Sequence, residues 1–356
     1  MSSGLKVNTL RGEVFTVDVG GIETVQQLQA MLAEHFPGDD PKKIIRVDVL
    51  RDRCLLDDAQ TLHAAGLHSE SEVTVIYGRH EIQAARKEQV HTEKFCQVNI
   101  PQAVRKVSNW AFQCCRQVVK VTIPDGVRSI GVGAFANCSS LESITIPDSV
   151  QEIGDKAFYE CTSLKSITIP NWVTRIGERT FQDCESLESI TLPDWLKEMG
   201  DESFEGCTSL KSITIPNWVT AIGYRGFQFC ESLENVTISD WVTDIPPYAF
   251  EGCKSLKSIT IPDWVTVIGE KAFLDCHSLE SITIPNSVEK IGNGAFHDCR
   301  SLESIFIPHS VREIGHTLFF HCFSLTTITI PYSRKSAWQQ NLDFWNLRKR
   351  ARILYH

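Results

Sequence analysis

The sequence predicts a small α+β domain followed by a mainly β solenoid of 23-residue coils. Three observations carry this reading. Ten cysteines, Cys115, Cys138, Cys161, Cys184, Cys207, Cys230, Cys253, Cys276, Cys299 and Cys322, recur every 23 residues without exception, and a fixed period of that size marks stacked repeats. Residues 1–91 carry no repeat, and their apolar runs read as short strands around one helical stretch. The composition, 42% hydrophobic and 22% charged over 356 residues, suits a chain that builds a core and excludes a disordered one.

In chain order, residues 5–7 and 14–19 alternate as two strands around the turn at Arg11-Gly12. Residues 23–36 read as a helix with Val25, Leu28 and Leu32 on one face. Residues 45–49 and 73–77 read as later strands. The first domain is therefore placed at 1–78. Residues 79–91 are polar, without Gly or Pro, and read as a linker that shields the N-terminal end of the stack.

The repeats occupy 92–331. In the unit that starts at Cys161, Leu164, Ile167 and Ile169 point inward and Ser166 and Thr168 outward, as strand alternation requires. Pro170 cannot donate to a ladder and ends the strand. Val173 and Ile176 return inward, Gly177 is expected at a turn of positive φ, and Phe181 fills the interior before Cys184. A coil cannot bury its own face, so stacking supplies the core. One copy breaks the pattern: Ser239 replaces the proline and Pro246-Pro247 replaces the Gly-x pair, which predicts a kink or widened loop over 239–248. The tail, 332–356, leaves the repeat. Trp338, Leu342 and Trp345 share a helical face there, which predicts an amphipathic cap. Six Lys or Arg face one acid in that tail, whereas 1–78 holds seven basic and twelve acidic residues.

The unit C-x-S-L-x-S-I-T-I-P-x-x-V-x-x-I-G-x-x-A-F resembles the BspA-type (Treponema-type) leucine-rich repeat. The resemblance implies a right-handed leucine-rich-repeat solenoid used for protein contacts, with no catalytic site; members of that family are often surface adhesins. The first domain resembles ubiquitin, the β-grasp fold, over residues 5–77. The carriers are Thr9-Leu10-Arg11-Gly12, Glu23-Thr24-Val25, Leu55-Leu56-Asp57-Asp58-Ala59-Gln60-Thr61-Leu62 and Glu70-Ser71-Glu72-Val73-Thr74-Val75-Ile76. Ubiquitin ends in a di-glycine, but here Tyr77 is followed by Gly78-Arg79-His80, so conjugation is not implied. The resemblance places a hydrophobic recognition patch on Leu10, Leu50 and Ile76, with Thr74 beside them, and implies a ubiquitin-pathway receptor as partner.

Chemistry-bearing residue types recur along the solenoid. The cysteine row would lie ~5 Å from coil to coil, within disulfide reach, but stacked side chains run parallel. The thiols read as buried small hydrophobes. No C-x-x-C occurs, so no zinc site is assigned. A free thiol row suits a reducing compartment, and residues 1–6 lack the apolar core of a secretion signal. The expected location is intracellular and cytoplasmic, without a membrane span. Trp172, Trp195, Trp218, Trp241 and Trp264 share one unit position, where other copies carry Gly126, Ser149, Ser287 and Ser310. They predict a stripe along one edge, a partner-binding surface. Thr168, Thr191, Thr214, Thr237 and Thr260, with Phe306 in a later coil, line the outward strand face. Glu142, Lys165, Glu188, Lys211, Glu234, Lys257, Glu280 and Glu303 share one unit position, and their alternating signs on neighbouring coils read as register pairs. His277, His297, His309, His316 and His321 occupy mixed unit positions and read as scattered, with no metal ligand assigned. No phosphate loop or nucleophile elbow appears, so no catalytic residue and no cofactor is assigned. Nothing in the net charge of −9 invites nucleic acid, whose binders are usually basic, and no DNA partner is assigned. The basic tail reads as a solvated cap in preference to a membrane or RNA contact.

The expected function is a non-enzymatic intracellular protein-interaction scaffold or adaptor. Its first domain would dock one protein, and its solenoid a second. A structural subunit of a large assembly, or a surface adhesin or carbohydrate binder, are the alternatives.

Overall fold

The computed structural model describes strand backbone at residues 4–9, 14–18, 47–51, 54–55, 72–77 and 81–82, then residues 96–100, 104–116, 118–334 and 351–356. Ahead of the repeats, β1 (Gly4–Thr9), β2 (Val14–Asp18), β3 (Val47–Arg51), β4 (Cys54–Leu55) and β5 (Glu72–Tyr77) form one sheet in the order β2-β1-β5-β3-β4. β1 and β5 run parallel, and the other neighbours are antiparallel. The strands expected at 5–7, 14–19, 45–49 and 73–77 thus form with small boundary shifts. The expected helix at 23–36 lies outside the described residues.

From Cys96 onward the chain is a mainly β solenoid whose coils recur every 23 residues. Each coil has three sides, and all three are hydrogen-bonded to neighbours. The first side is the Ser-Ile-Thr strand: Ser166–Thr168 pairs parallel with Ser189–Thr191, residue for residue 23 further on. The second is a two-residue strand such as Arg175–Ile176, paired with Glu198–Met199. The third is a run of turns, where the amides of Phe158 and Phe181 donate to the carbonyls of Thr180 and Ser203 at 2.9 Å. Alternation decides what is inside: Ser166, Ile167 and Thr168 read exposed, buried, exposed. The short-strand ladder begins ahead of the repeats, where Glu81–Ile82 pairs with Lys106–Val107.

The core is a set of columns, one per inward unit position. Phe135, Phe158, Phe181, Phe204, Phe227, Phe250, Phe273, Phe296 and Phe319 are its largest fully buried side chains. With Phe112 they stack at centroid distances from 5.2 Å to 5.9 Å. Each offset ring pair adds ~0.5–1.5 kcal/mol to its area burial.

Two expectations require correction. Gly177 does not sit at positive φ. The left-handed residues come later in the coil, in two columns represented by Arg179 (φ 53°) and Asp183 (φ 57°). The glycine column is needed for close backbone approach instead: a Cβ on Gly200 would lie 2.6 Å from the amide nitrogen of Glu178 and 2.6 Å from the carbonyl carbon of Gly177. The kink over 239–248 is also absent. Phe204–Phe227 and Phe227–Phe250 stack at 5.4 Å and 5.5 Å, as elsewhere. Ser239 keeps the turn, accepting from the Trp241 amide at 3.2 Å and donating to the Asn217 carbonyl at 3.1 Å. The short-strand ladder lapses between Glu198–Met199 and Asp244–Ile245, as it also does between Glu152–Ile153 and Arg175–Ile176, where no proline stands. The amides of Gly200, Gly269, Gly292 and Gly315 each donate to an isoleucine carbonyl one coil back. Pro246 occupies the corresponding position and has no N–H to offer Ile222.

At the far end, Tyr332–Arg334 forms a 3-10 turn, and Arg352–Tyr355 adds a strand parallel to Thr327–Ile330. The strand side therefore continues past Pro331 with residues from the tail. Trp338, Leu342 and Trp345 lie outside the described residues. No α-helix occurs among the described residues, and no helix among them is long and apolar enough to cross a membrane.

Candidate functional site

The tryptophan stripe is built by a β-turn. In five coils the amide four positions into the turn donates back to its first carbonyl: Val173 to Pro170, Leu196 to Pro193, Val219 to Pro216, Val242 to Ser239 and Val265 to Pro262. The tryptophan is the second of the two central residues, and central turn residues face solvent. Trp172 is 69% exposed and Trp218, the most covered of the five, 55%. Trp195 and Trp218 stack at 5.9 Å with planes 20° apart. In two of the three coils with serine there, the hydroxyl turns back into the coil: Ser149 Oγ donates to the Val127 carbonyl at 2.8 Å, and Ser287 Oγ to Val265 at 2.7 Å, whereas Ser310 Oγ is buried without a partner. Each tryptophan thus stands where a self-satisfied serine would serve the fold.

On the strand face, Thr168, Thr191, Thr214, Thr237 and Thr260 are exposed. Thr168 is in register with Thr191, Thr214 with Thr237, and Phe306 with Thr329. Phe306 stacks on His356 at 4.5 Å, and His309 meets the same imidazole edge-on at 4.4 Å. Two of the expected sign-alternating pairs form, Lys165–Glu142 at 2.7 Å and Lys211–Glu188 at 3.0 Å. Both are exposed, where such pairs contribute ~0–1 kcal/mol.

The cysteine column is inward and unbridged. Each thiol from Cys138 to Cys322 donates to a phenylalanine carbonyl one turn back in the stack, at 3.0 Å to 3.3 Å. Burial pushes all nine thiols well above their ordinary pKa, Cys322 to about 12. They are inert as nucleophiles.

The turn side holds two clusters that sequence reading missed. Arg179 Nε meets Glu202 at 2.5 Å, and Arg225 lies 4.9 Å from the Tyr224 ring and 5.3 Å from Tyr248. Arg179, Glu202, Arg225, Tyr248 and Lys271 are one column at 23-residue spacing, a signal that was available. The second cluster corrects the reading of scattered histidines. Asp298, whose side chain is 10% exposed, has Oδ2 at 3.2 Å from His297 Nδ1 and 3.1 Å from His321 Nδ1, and Oδ1 at 3.1 Å from Arg300 Nε. Burial pushes the Asp298 carboxyl up, but donation from His321 and Arg300 outweighs it, and the group stays below its ordinary value. Burial lowers His297. His277 and Asp275, one coil back, stand 3.7 Å apart. The other two histidines lie apart: His309 is on the strand face, and the amide of His316 bonds Asn293.

In the first domain, Leu50 is in register with Thr74 and Ile76 with Asp48. Leu10 lies outside the described residues.

The family model described as the BspA type leucine rich repeat region matches residues 90–193, 174–294 and 220–343. Among solved structures, a leucine-rich repeat protein from Bacteroides ovatus is 37% identical over 66% of this chain and 57% of its own, with a TM-score of 0.54. The chain therefore spans little more than half of that protein. A leucine rich cell surface protein from Faecalibacterium prausnitzii is 29% identical over 80% of this chain and 90% of its own, with a TM-score of 0.49. The pneumococcal vaccine antigen PcpA is 22% identical over 73% of this chain and 68% of its own, also with a TM-score of 0.49. No curated protein matches the chain.

Proposed function

The chain belongs to the BspA-type leucine-rich repeat family, and from that premise we propose that it is a non-enzymatic protein-interaction scaffold. The solenoid holds one protein partner through the tryptophan edge and the adjoining strand face. The carrying observation is the row of five exposed indoles on adjacent coils. A contiguous exposed apolar row marks a contact surface, and tryptophan is the residue type most enriched among binding hot spots. The stack of Trp195 on Trp218 favours a protein over a carbohydrate: these indoles turn faces toward each other, whereas sugar rings bind to open faces. Residues 1–78 act as a ubiquitin-like docking domain for a second protein, a receptor of the ubiquitin pathway. The mixed sheet order, with a parallel β1–β5 pair inside antiparallel neighbours, supports this reading. The scaffold works inside the cell, a reading supported by the column of buried thiols from Cys138 to Cys322, none of them in a disulfide.

The test is a quantitative pull-down from the native cell with three baits: the intact chain, a Trp218→Ser/Trp241→Ser variant and an Ile76→Asp variant. The tryptophan variant is expected to melt like the intact chain, because Ser149 and Ser287 at this turn position bond the carbonyl one coil back. It should lose one set of partners while Ile76→Asp loses a different, ubiquitin-pathway set. Identical captures by all three baits sink the proposal.

A further inference from the structure

We propose that His297, Asp298 and His321 form a binding site for one divalent transition-metal ion of the zinc class. Three features of the turn side carry this. First, the stack brings the three together from two unit positions: Asp298 and His321 share one, 23 residues apart, and His297 lies one position before it. His297 and Asp298 are the two residues before Cys299, and His321 precedes Cys322 in the next coil. Asp298 and His321 both take the left-handed conformation, at φ 57° and 62°, which aims their side chains into the same corner. The ligand atoms of all three lie within 4.8 Å of one another.

Second, the distances suit a metal polyhedron. Zinc binds imidazole nitrogen and carboxylate oxygen at ~2.0–2.2 Å, so neighbouring ligands on a tetrahedron stand ~3.3 Å apart. The two Asp298 Oδ2 to Nδ1 distances are 3.2 Å and 3.1 Å.

Third, the cluster is not explained as a hydrogen-bonded network. His321 Nδ1 bonds Asp298. His297 Nδ1 is as close to the same oxygen, yet it is buried and has no hydrogen-bond partner, because its geometry misses the carboxylate. A buried ring nitrogen without a partner is costly, and a shared cation between nitrogen and oxygen removes that cost. His277 Nε2 is likewise buried without a partner, and with Asp275 and Asp298 it forms a second group within 4.8 Å. Imidazole with carboxylate is the donor set of zinc and its neighbours. Arg300 Nε, on the other carboxylate oxygen, orients Asp298 from outside and leaves Oδ2 to the ion. Phe320 stacks on His297 at 5.2 Å and Phe323 on His321 at 5.5 Å, giving the site apolar walls.

The experiment uses the complete chain, stripped with chelator and titrated with zinc by calorimetry. Two double variants are compared, His297→Ala/His321→Ala and His309→Ala/His316→Ala, with circular dichroism to confirm folding. The intact chain and the second variant are expected to bind one zinc with equal affinity. The first variant should lose that ion by more than the ~10–100-fold that loss of a supporting outer group costs. Cobalt, used as a spectroscopic substitute, should show nitrogen and oxygen ligation. A sulfur-to-cobalt charge-transfer band overturns the assignment, as does equal binding by the two double variants or no saturable zinc binding by the intact chain.

Discussion

Raising the pH should unfold this solenoid steeply, and the cause is the cysteine column. Nine thiols, Cys138 to Cys322, are buried and bonded to phenylalanine carbonyls, and burial holds each well above its ordinary value. In the unfolded chain the same thiols ionise near pH ~8.5. Above that pH the unfolded state releases protons that the folded state retains, so stability falls as pH rises and is intact below it. One thiol costs nothing noticeable at pH 7.5 and ~1.4 kcal/mol at pH 9.5. Nine act together, so the chain loses ~12 kcal/mol across those two pH units, comparable with the ~5–15 kcal/mol that holds a typical domain folded. The assay is urea unfolding followed by circular dichroism, in reductant, at pH 7.5, 8.5 and 9.5. Cys207→Ala should flatten the pH slope by about one ninth while lowering stability at pH 7.5. A fall below ~3 kcal/mol over the interval refutes the reasoning, because it would mean that most of the column ionises while folded.

Two further outcomes follow from the columns. Phe227→Ala removes a fully buried ring stacked between Phe204 and Phe250. It should cost the upper part of the ~3–5 kcal/mol typical of such truncations, read as a lower guanidinium midpoint, and a loss under ~1.5 kcal/mol contradicts the stacked-core account. Asp183 sits at φ 57°, and burial, then the Glu160 charge, raises its carboxyl pKa. Its ionisation therefore costs stability as pH rises through that value. Asp183→Asn should melt higher than the intact chain at pH 7, with the gap closing toward pH 3; a lower melting temperature at pH 7 contradicts this. Asn137 already occupies the same unit position, at φ 61°.

The solenoid was legible because its core is written one column per inward position. Strand alternation told Ile167 from Ser166 and Thr168, and the 23-residue period did the rest. Where reading went wrong, the physics was not local. Gly177 was assigned to a turn because glycine usually serves turns. Its column is instead fixed by backbone from the previous coil, a contact that no short window contains. Pro246-Pro247 suggested a kink because proline breaks ladders. The ladder does lapse at Ile222, but Val242, Ile245 and Phe250 remain buried and the ring spacing is unchanged. The tryptophan row was legible as a surface feature because it follows the same period. The histidine cluster was missed because only identical unit positions were compared. Neighbours in a solenoid also lie one position apart on adjacent coils, and His297 beside His321 is of that kind.

That diagonal adjacency explains why two unlike surface features can sit on one uniform rod. The inward columns tolerate almost nothing, so Cys, Leu, Val, Ile and Phe recur in coil after coil. Turn positions tolerate nearly anything that can face water, or accept left-handed φ. A run of one residue type at a turn position is therefore not required by the fold, as Ser149 and Ser287 demonstrate for the tryptophan row: with serine there, the hydroxyl bonds the previous coil and the core is unchanged. The tryptophans span Trp172 to Trp264, and the clustered histidine and aspartate side chains span Asp275 to His321. The two runs follow one another along the chain without overlapping. The rod is thus divided lengthwise into an aromatic block and an imidazole-carboxylate block, each presented from a different corner of the coil. Variants in one block should leave the other intact, because the two are presented from different corners of the coil and nearest-neighbour packing carries the stability of a stacked array.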